Sequence, residues 1–460
     1  MWLAAANVLA CLSIVAPWPA TATRTRFAPL VAAAFAGAQL LFEGPRWQMV
    51  PAYALAGLWL VIRPWLSRSR PPRTEPVAGL ARVLGLLSLA ISVGLPAAFP
   101  IFRFPRPTGP YGIGTSTRHW VDVGRPDPFF PGPGRPRELM VQLWYPAQEA
   151  SSPSRASYVE HPRALASLAG LLHLPPFVFG HMRLITSNAV PSAPIAARGR
   201  PYPVLIFLHG RGGYRQEYTS LVEDLVSNGY VVAAIDQPHA ASGVVFPDGR
   251  RVPFDPRMAD DSFVDGMVGP LAGDVVFALE EIGGLDQADP SGIFTGRLDL
   301  GRVGIFGVSL GGEVGAEACR REPRLRACLA MDVWITPSVV RSGLQQPAML
   351  ITRDVATMRG EGWSEAAIDR TQSTMRALFD RSQGATYLVK VAGMFHADFS
   401  DARLLSPLTS ILGITGPIAA SRAHAIVTDC ALAFFDRHLR GDPTGVPKGR
   451  YPEVHLEARP

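Results

Sequence analysis

The pattern of apolar and polar positions divides this chain into two parts. Long apolar stretches with few charges fill the first hundred residues, at Met1–Pro19, Phe27–Phe42, Trp47–Ile62 and Val77–Pro100. Because a helix needs about 20 apolar residues to cross a bilayer, we predict an anchor of three or four transmembrane helices over residues 1–101. A cleaved signal peptide is the alternative for the first stretch, but that stretch lacks a basic start and three apolar segments follow it.

The second part alternates short apolar runs with helical patterns. The runs that resemble strands are Leu139–Tyr145, Val204–His209, Tyr230–Asp236, Val303–Val308, Ala327–Asp332, Ala348–Thr352 and Thr386–Val391. Helical candidates between them include Tyr218–Ser227, Leu271–Ile282, Glu313–Arg321 and Glu365–Phe379. This alternation is typical of an α/β domain with a mostly parallel sheet and helices on both faces, and we place that domain at residues 137–445. Ligands bind such sheets beyond the carboxyl ends of the strands.

The distribution of charge adds a prediction only near the apolar stretches. The net charge is +6, and the basic residues are scattered without a nucleic-acid-binding motif, so no nucleic-acid partner is predicted. One cluster, between the third and fourth apolar stretches, comprises Arg63, Arg68, Arg70 and Arg73. Positive loops stay on the cytoplasmic side, as would Arg24 and Arg26 if all four stretches cross. We therefore predict a multi-pass protein of a bacterial cytoplasmic membrane, with the α/β domain on the periplasmic or extracellular side.

The four cysteines do not have the spacing of a disulfide framework. Cys11 lies in an apolar stretch, and Cys319, Cys328 and Cys430 are spread through the second part without metal-ligand spacing. A disulfide between Cys319 and Cys328 could form in an oxidising compartment. We expect buried free thiols instead.

Candidate chemistry centres on the run Gly307-Val308-Ser309-Leu310-Gly311. An apolar run precedes this Gly-x-Ser-x-Gly motif and residues that suit a helix follow it. Such a context is typical of the nucleophile elbow of an α/β-hydrolase, in which a sharp strand-to-helix turn holds the serine in a strained backbone. We predict that Ser309 is the nucleophile.

A serine hydroxyl becomes a nucleophile when a neighbouring histidine takes its proton, and in this fold the chain order is Ser, then Asp or Glu, then His. His396 lies in a loop just after the last strong strand and is the predicted base. The later His424 and His438 lie in helical stretches and are predicted to have surface or packing roles. Two carboxylates at strand ends could orient the base, Asp332 and Asp354.

The oxyanion hole requires two backbone N–H groups. In this fold one belongs to the residue after the nucleophile, here Leu310, and the other to a loop after an earlier strand. The loop His209-Gly-Arg-Gly-Gly213 follows an apolar strand, and the Arg211 amide is the predicted second donor. His209 is predicted to hold this loop by hydrogen bonds.

These residues resemble the platelet-activating-factor acetylhydrolase family, the lipoprotein-associated and intracellular type-II phospholipases of the α/β-hydrolase fold. The resemblance spans roughly residues 108 to 400. Beyond the serine elbow, it rests on the segments Thr108–Gly114, Val141–Ala147, Phe207–Arg215 and Met331–Pro337. The family's acid carries over to Asp332 and its histidine to His396. The chain departs from the family by its apolar N-terminal part and by Val308, where the family usually has His.

The resemblance implies calcium-independent ester hydrolysis without a metal or organic cofactor, with phospholipids that carry short or oxidised acyl chains as leading substrates. A general carboxylesterase, lipase or polyester hydrolase is one alternative. A membrane-anchored module that binds lipid or a partner without catalysis is another.

The remaining segments complete the predicted organisation. Residues 102–136 are rich in Pro, Gly and Arg, which predicts a linker and an irregular lead into the domain. The apolar segment 161–195 is too long for a simple connection. It is interpreted as a cap, either one that shapes an acyl pocket or touches the bilayer, or one packed on the core. Residues 446–460 are predicted to be a tail.

Overall fold

The computed structural model describes residues 2–15, 24–66, 75–130, 134–148, 154–197, 199–443, 445 and 449–460. The chain separates into two units. The N-terminal unit comprises residues 1–102 together with 177–184 and 405–408, and the larger unit comprises 103–176, 185–404 and 409–460.

Helices form at all four apolar stretches of the N-terminal unit. They are α1 (Trp2–Val15), α2 (Arg24–Phe42), α3 (Val50–Leu66) and α4 (Glu75–Ala98). Among the described residues, one helix is long and apolar enough to cross a bilayer, and it is the half-buried Asp261–Ala288 of the larger unit. The apolar helical segments of the N-terminal unit are shorter: Leu30–Phe42, Trp47–Val61 and Arg82–Ala98. Helix length therefore does not support the prediction of three or four membrane crossings.

Small residues fill the interior of the N-terminal unit, and large apolar ones lie on its outside. Its buried members include Ala10, Ala32, Ala52 and Ala56. Its exposed members include Leu41, Phe42, Leu58, Val61 and Leu84. The prediction of membrane orientation rests on arginines. Their side chains lie outside the described part of the chain, at positions 24, 26, 63, 68, 70 and 73.

A twisted sheet forms the frame of the larger unit. The strands are β1 (Gly112–Pro126), β2 (Pro136–Ala147), β3 (Val190–Pro191), β4 (Tyr202–Leu208), β5 (Val231–Asp236), β6 (Gly243–Val245), β7 (Arg251–Pro253), β8 (Leu298–Val308), β9 (Leu325–Met331), β10 (Ala348–Arg353), β11 (Thr386–Val391) and β12 (Val454–Arg459). In the described residues ten of them form one sheet in the order β12-β11-β10-β9-β8-β4-β5-β2-β1-β3, and β6 pairs with β7 separately. Strands β5, β4, β8, β9, β10 and β11 are mutually parallel.

Helices cover both faces of this sheet. They are α5 (Pro162–Leu171), α6 (Thr219–Ser227), α7 (Asp261–Ala288), α8 (Leu310–Arg321), α9 (Pro337–Ser342), α10 (Val355–Gly360), α11 (Glu365–Arg381), α12 (Ala402–Leu405) and α13 (Ala420–Phe435). Short turns of 3₁₀ helix occur at Trp47–Met49, Gly180–Leu184, Pro256–Ala259 and His396–Phe399, and a π-helical turn at Asp436–Arg440. Along β4, Val204, Ile206 and Leu208 join the core under α7, α8 and α11, whereas Leu205 and Phe207 join the core under α6 and α13. The predicted α/β domain with a mostly parallel sheet is confirmed.

Two segments expected to be irregular are strands. Residues 112–126, inside the predicted linker, form β1 and pair antiparallel with β2. Residues 454–459, inside the predicted tail, form β12 and pair antiparallel with β11. Both interpretations were wrong because antiparallel strands near the margin of a sheet tolerate polar residues on a solvated face and lack a long apolar run.

A disulfide joins Cys319 on α8 to Cys328 on β9, so the expectation of free thiols at these positions was wrong. The two Cα atoms lie 6.6 Å apart because α8 returns along the strand that follows it. Cys11 and Cys430 are free and buried.

Candidate active site

Ser309 occupies a sharp turn between β8 and α8. Its φ angle is +55°, a backbone conformation that L-residues avoid. A Cβ atom at Gly307 would lie 2.3 Å from the carbonyl of Gly311, and one at Gly311 would lie 2.1 Å from the Leu208 carbonyl oxygen. The turn therefore closes only with glycine at both positions, as the elbow motif requires.

Asp332 and His396 meet at the carboxyl end of the sheet. Asp332 follows β9, is buried, and its Oδ2 lies 2.5 Å from Nδ1 of His396. Its Oδ1 accepts a hydrogen bond from the Thr352 hydroxyl at 3.2 Å. His396 follows β11 and keeps about a third of its side chain exposed, 32%. The imidazole is thus oriented through Nδ1, which leaves Nε2 for the reacting groups.

Ser309 and His396 follow strands β8 and β11 of the same sheet. The backbone N–H of Ser309 donates to the Met331 carbonyl at 2.9 Å, which ties the elbow to the strand that ends at Asp332. In the described part of the chain the serine hydroxyl and the imidazole are not hydrogen-bonded to each other. Catalytic hydrogen bonds of this kind often tighten only when substrate binds.

A buried cation lies beside Asp332, and no motif in the sequence indicates it. Arg353 is fully buried, and its Nε lies 2.8 Å from Asp332 Oδ2 as an ion pair rather than an aligned hydrogen bond. Its guanidinium stacks on Trp363 at 4.3 Å and pairs with Glu361, which also accepts the backbone N–H of His396 at 3.1 Å. Burial alone would raise the pKa of Asp332, but His396 and Arg353 together hold it below its usual range.

Asp354, the alternative acid, has a different role. It caps the N-terminus of α10, where its side chain accepts hydrogen bonds from the Thr357 N–H at 2.7 Å and from the Thr357 hydroxyl at 3.1 Å. Its described contacts do not include His396. Asp332 is therefore the carboxylate that the structure joins to the histidine.

The loop after β4 lies against Ser309. A Cβ atom at Gly210 would lie 3.3 Å from the Ser309 Cβ, so the loop backbone passes close to the serine. His209 holds the loop, because its Nδ1 donates to the Gly210 carbonyl at 2.7 Å and its Nε2 accepts the Gln237 N–H at 3.3 Å. Burial lowers the pKa of His209, which keeps this ring neutral.

Among the described residues, the backbone amides of Arg211 and Leu310, the predicted oxyanion donors, have no hydrogen-bond acceptor. The Arg211 side chain turns away to pair with Asp261 at 3.0 Å. The neighbouring Gly212 approaches the end of α5, since a Cβ there would lie 2.7 Å from Cδ2 of Leu171. The first part of the segment interpreted as a cap therefore borders the loop after β4.

A pocket opens beside Ser309. Its lining residues are Arg211, Val264, Ser309, Leu310, Glu313, Asp332, Val333, Trp334 and Trp363. The sequence did not indicate Glu313, Trp334 and Trp363 as pocket residues, although Trp334 belongs to the segment Met331–Pro337 on which the resemblance rests.

The later histidines lie elsewhere. His424 pairs with Asp224 at 2.8 Å, and His438 contacts the Tyr387 hydroxyl at 3.1 Å. These contacts give both rings packing roles, one of the two roles predicted for them.

Known proteins are similar to this chain in sequence and in fold. The profile of the family described as "Platelet-activating factor acetylhydrolase, isoform II" matches residues 98–247 and 281–444. A platelet-activating factor acetylhydrolase of Cavia porcellus is 22% identical over 84% of this chain and 88% of its own length. A probable 1-alkyl-2-acetylglycerophosphocholine esterase of Arthroderma benhamiae is 23% identical over 81% of this chain and 97% of its own length.

A solved structure adds a second kind of esterase. The ferulic acid esterase of Streptomyces cinnamoneus superposes with a TM-score of 0.61 at 30% sequence identity, and the match covers 77% of this chain and 99% of that protein. The family profile covers well over half of the chain. This protein therefore belongs to the platelet-activating factor acetylhydrolase isoform II family, and it is an ester hydrolase.

Proposed function

We propose that this protein is a serine carboxylic ester hydrolase that acts first on phospholipids with short or oxidised acyl chains, without calcium. The observation that carries the proposal is the Asp332–His396 pair at the carboxyl end of the sheet that bears Ser309 in its strained turn. The names of the relatives support the substrate class.

In the proposed mechanism Ser309 Oγ attacks the ester carbonyl carbon while His396 Nε2 takes the hydroxyl proton. The Arg211 and Leu310 amides stabilise the negative oxygen of the tetrahedral intermediate. The carbon–oxygen bond to the alcohol then breaks, and the alcohol leaves with the proton from His396. Water hydrolyses the acyl-serine by the same steps, and Asp332 keeps the imidazole oriented throughout.

Replacing the nucleophile tests this proposal. Ser309→Ala is expected to lose hydrolysis of short-chain phospholipids and of p-nitrophenyl butyrate by several orders of magnitude, and labelling by a fluorophosphonate probe. Ser373→Ala, an exposed serine on α11, is the matched control and keeps both. Turnover near that of the wild type in Ser309→Ala would refute the proposal. An unlabelled, inactive wild type would favour a lipid- or partner-binding module instead.

We also propose that the N-terminal unit anchors the protein in a membrane by several helices, with the α/β domain on the periplasmic or extracellular side. Small residues inside and exposed leucines outside are the packing expected of helices in lipid. The Cys319–Cys328 disulfide suits an oxidising compartment. Protease added to intact spheroplasts should digest the chain after Phe102. Protection until lysis would place the domain in the cytoplasm.

Aromatic esters are the second candidate substrates. Trp334 and Trp363 line the pocket beside Ser309, and flat aromatic acyl groups pack well on indole rings. The ferulic acid esterase match points the same way. Comparing kcat/KM for methyl ferulate, a short-chain phospholipid and graded p-nitrophenyl esters decides between the two classes. Fastest cleavage of long acyl chains or of polyester would favour a lipase or polyester hydrolase.

A further inference from the structure

Two polar atoms in the active-site pocket have no partner in the described part of the chain. One is Oε1 of Glu313, and the other is the indole Nε1 of Trp334. Glu313 is 1% exposed, and both residues line the pocket that contains Ser309. A buried polar atom without a hydrogen bond costs about 1–3 kcal/mol, so such atoms usually have a purpose.

The charged groups around Glu313 are already paired with one another. Arg211, in the loop after β4, binds Asp261 at 3.0 Å. Arg370, on α11, binds Asp265 at 2.9 Å and stacks on the Trp334 ring at 4.4 Å. Neither cation is therefore committed to the Glu313 carboxyl. Burial, with Asp265 nearby, raises the pKa of Glu313 to about 8, so the group is a neutral carboxylic acid at pH 7.

The pocket offers hydrogen-bond donors to its ligand. An indole N–H can only donate, and a protonated carboxyl carries an O–H that can donate. A ligand that satisfies both must present an acceptor, which in an ester substrate is an oxygen. A cation could bind a carboxylate, but it cannot accept a hydrogen bond from the indole N–H of Trp334. Trp334 therefore indicates that the ligand presents an acceptor oxygen.

Position indicates which half of the ester enters this pocket. The proton of His396 must reach the departing alcohol, and His396 is not among the residues that line the pocket. The two oxyanion donors do line it, so the pocket takes the acyl half. Glu313 lies in the first turn of α8, directly after Ser309, and its backbone N–H donates to the Ser309 carbonyl at 3.1 Å.

We propose that Glu313 and Trp334 form a specificity site for acyl groups that carry an oxygen acceptor two or three bonds beyond the ester carbonyl, such as alkoxy-, hydroxy- or keto-acyl groups. This inference rests on the proposed function, since it needs an acyl group on Ser309. It adds to that function the residues that select the acyl chain.

The test compares two esters of equal length in the full-length enzyme. The substrates are p-nitrophenyl methoxyacetate and p-nitrophenyl butyrate, and the readout is the ratio of their kcat/KM values, which cancels general effects on folding. Glu313→Leu and Trp334→Phe should each lower the ratio about fivefold to tenfold, mainly through a higher KM for the methoxyacetate, because each removes one donor and keeps an apolar wall. Glu313→Gln retains an N–H donor and should retain the preference.

A pH series separates hydrogen bonding from packing. In the wild type the ratio should fall as pH rises through about 8, because a carboxylate can no longer donate. In Glu313→Gln the ratio should stay constant over the same range. An equal ratio in all four proteins, or a wild-type ratio independent of pH, would overturn the inference. Retention of both activities in Ser309→Ala would instead overturn the proposed function.

Discussion

The end of β9 and the first turn of α8 each place a buried carboxyl group beside Ser309, and the two differ in charge. Asp332 and Glu313 are both 1% exposed. Asp332 touches His396 and the Arg353 guanidinium, and its pKa is held below its usual range. Glu313 has no such direct partner among the described residues, and its pKa rises to about 8. Burial favours the neutral carboxyl in both regions, and only direct partners reverse that preference.

The two regions therefore respond to pH with opposite sign. Asp332 contributes stability above the pKa of the unfolded chain, and this contribution disappears as pH falls through its lower folded pKa. Glu313 contributes nothing at low pH, and it costs stability as pH rises from its unfolded pKa of 4.5 toward about 8. At pH 7 the pocket therefore holds a charged carboxylate beside His396 and a neutral carboxyl group on α8.

Removing the charge of Asp332 should have the largest effect on activity. Asp332→Asn preserves shape but favours the wrong tautomer of His396, and we expect kcat to fall about 10⁴-fold. Asp354→Asn, the matched control, removes a helix cap and should change kcat only a few-fold. Steady-state kinetics on p-nitrophenyl butyrate measure both. The reverse ranking would move the acid to Asp354.

Replacing Glu313 by a residue that cannot ionise should change the stability of the protein rather than the orientation of His396. Between pH 5 and pH 8 Glu313→Gln should gain about 3–4 kcal/mol of stability over the wild type, because only the wild type must keep a proton that its unfolded state has lost. Thermal unfolding of both full-length proteins in detergent at the two pH values measures this. A constant difference in Tm would show that Glu313 is ionised in the fold.

Removing the cation behind Asp332 tests what keeps that carboxylate charged and fixed. Arg353→Gln should lower kcat up to about 100-fold, through lost orientation of Asp332, and should move the acid limb of the pH–rate profile to higher pH. The limb moves up because the loss of a nearby positive charge favours protonation of the triad. Arg359→Gln, which removes an exposed arginine paired with Glu365, should leave the profile unchanged. Identical profiles for both variants would make Arg353 purely structural.

Opening the disulfide loosens the two elements that carry the compared carboxyls, since it joins α8 to β9. Cys319→Ser combined with Cys328→Ser should cost about 2–3 kcal/mol of stability, as expected for a short closed loop. Its kcat should stay within a few-fold of the wild type. Thermal unfolding with and without a thiol reductant is the measurement. A wild-type Tm that is the same with and without reductant would contradict a closed disulfide.

Local pattern predicted much of the larger unit. The elbow glycines, the strand before Ser309 and the loop position of His396 follow from short motifs whose geometry is set by nearby residues. Arg353 and Glu313 could not be found that way, because their burial depends on α10, α11 and α7 folding over them. The Cys319–Cys328 pairing depends on how α8 returns along β9, and a spacing of nine residues does not reveal that distance.

The C-terminal strand has a practical consequence. β12 covers one margin of the ten-stranded sheet, and β3, only two residues long, blunts the other. Without residues 454–459 the backbone groups of β11 on that side would be unpaired, a template for edge-to-edge association of neighbouring molecules. Shortened versions of this protein should therefore keep the last strand, and affinity tags belong beyond Pro460. A version cut at residue 450 would be prone to aggregate even with its catalytic residues in place.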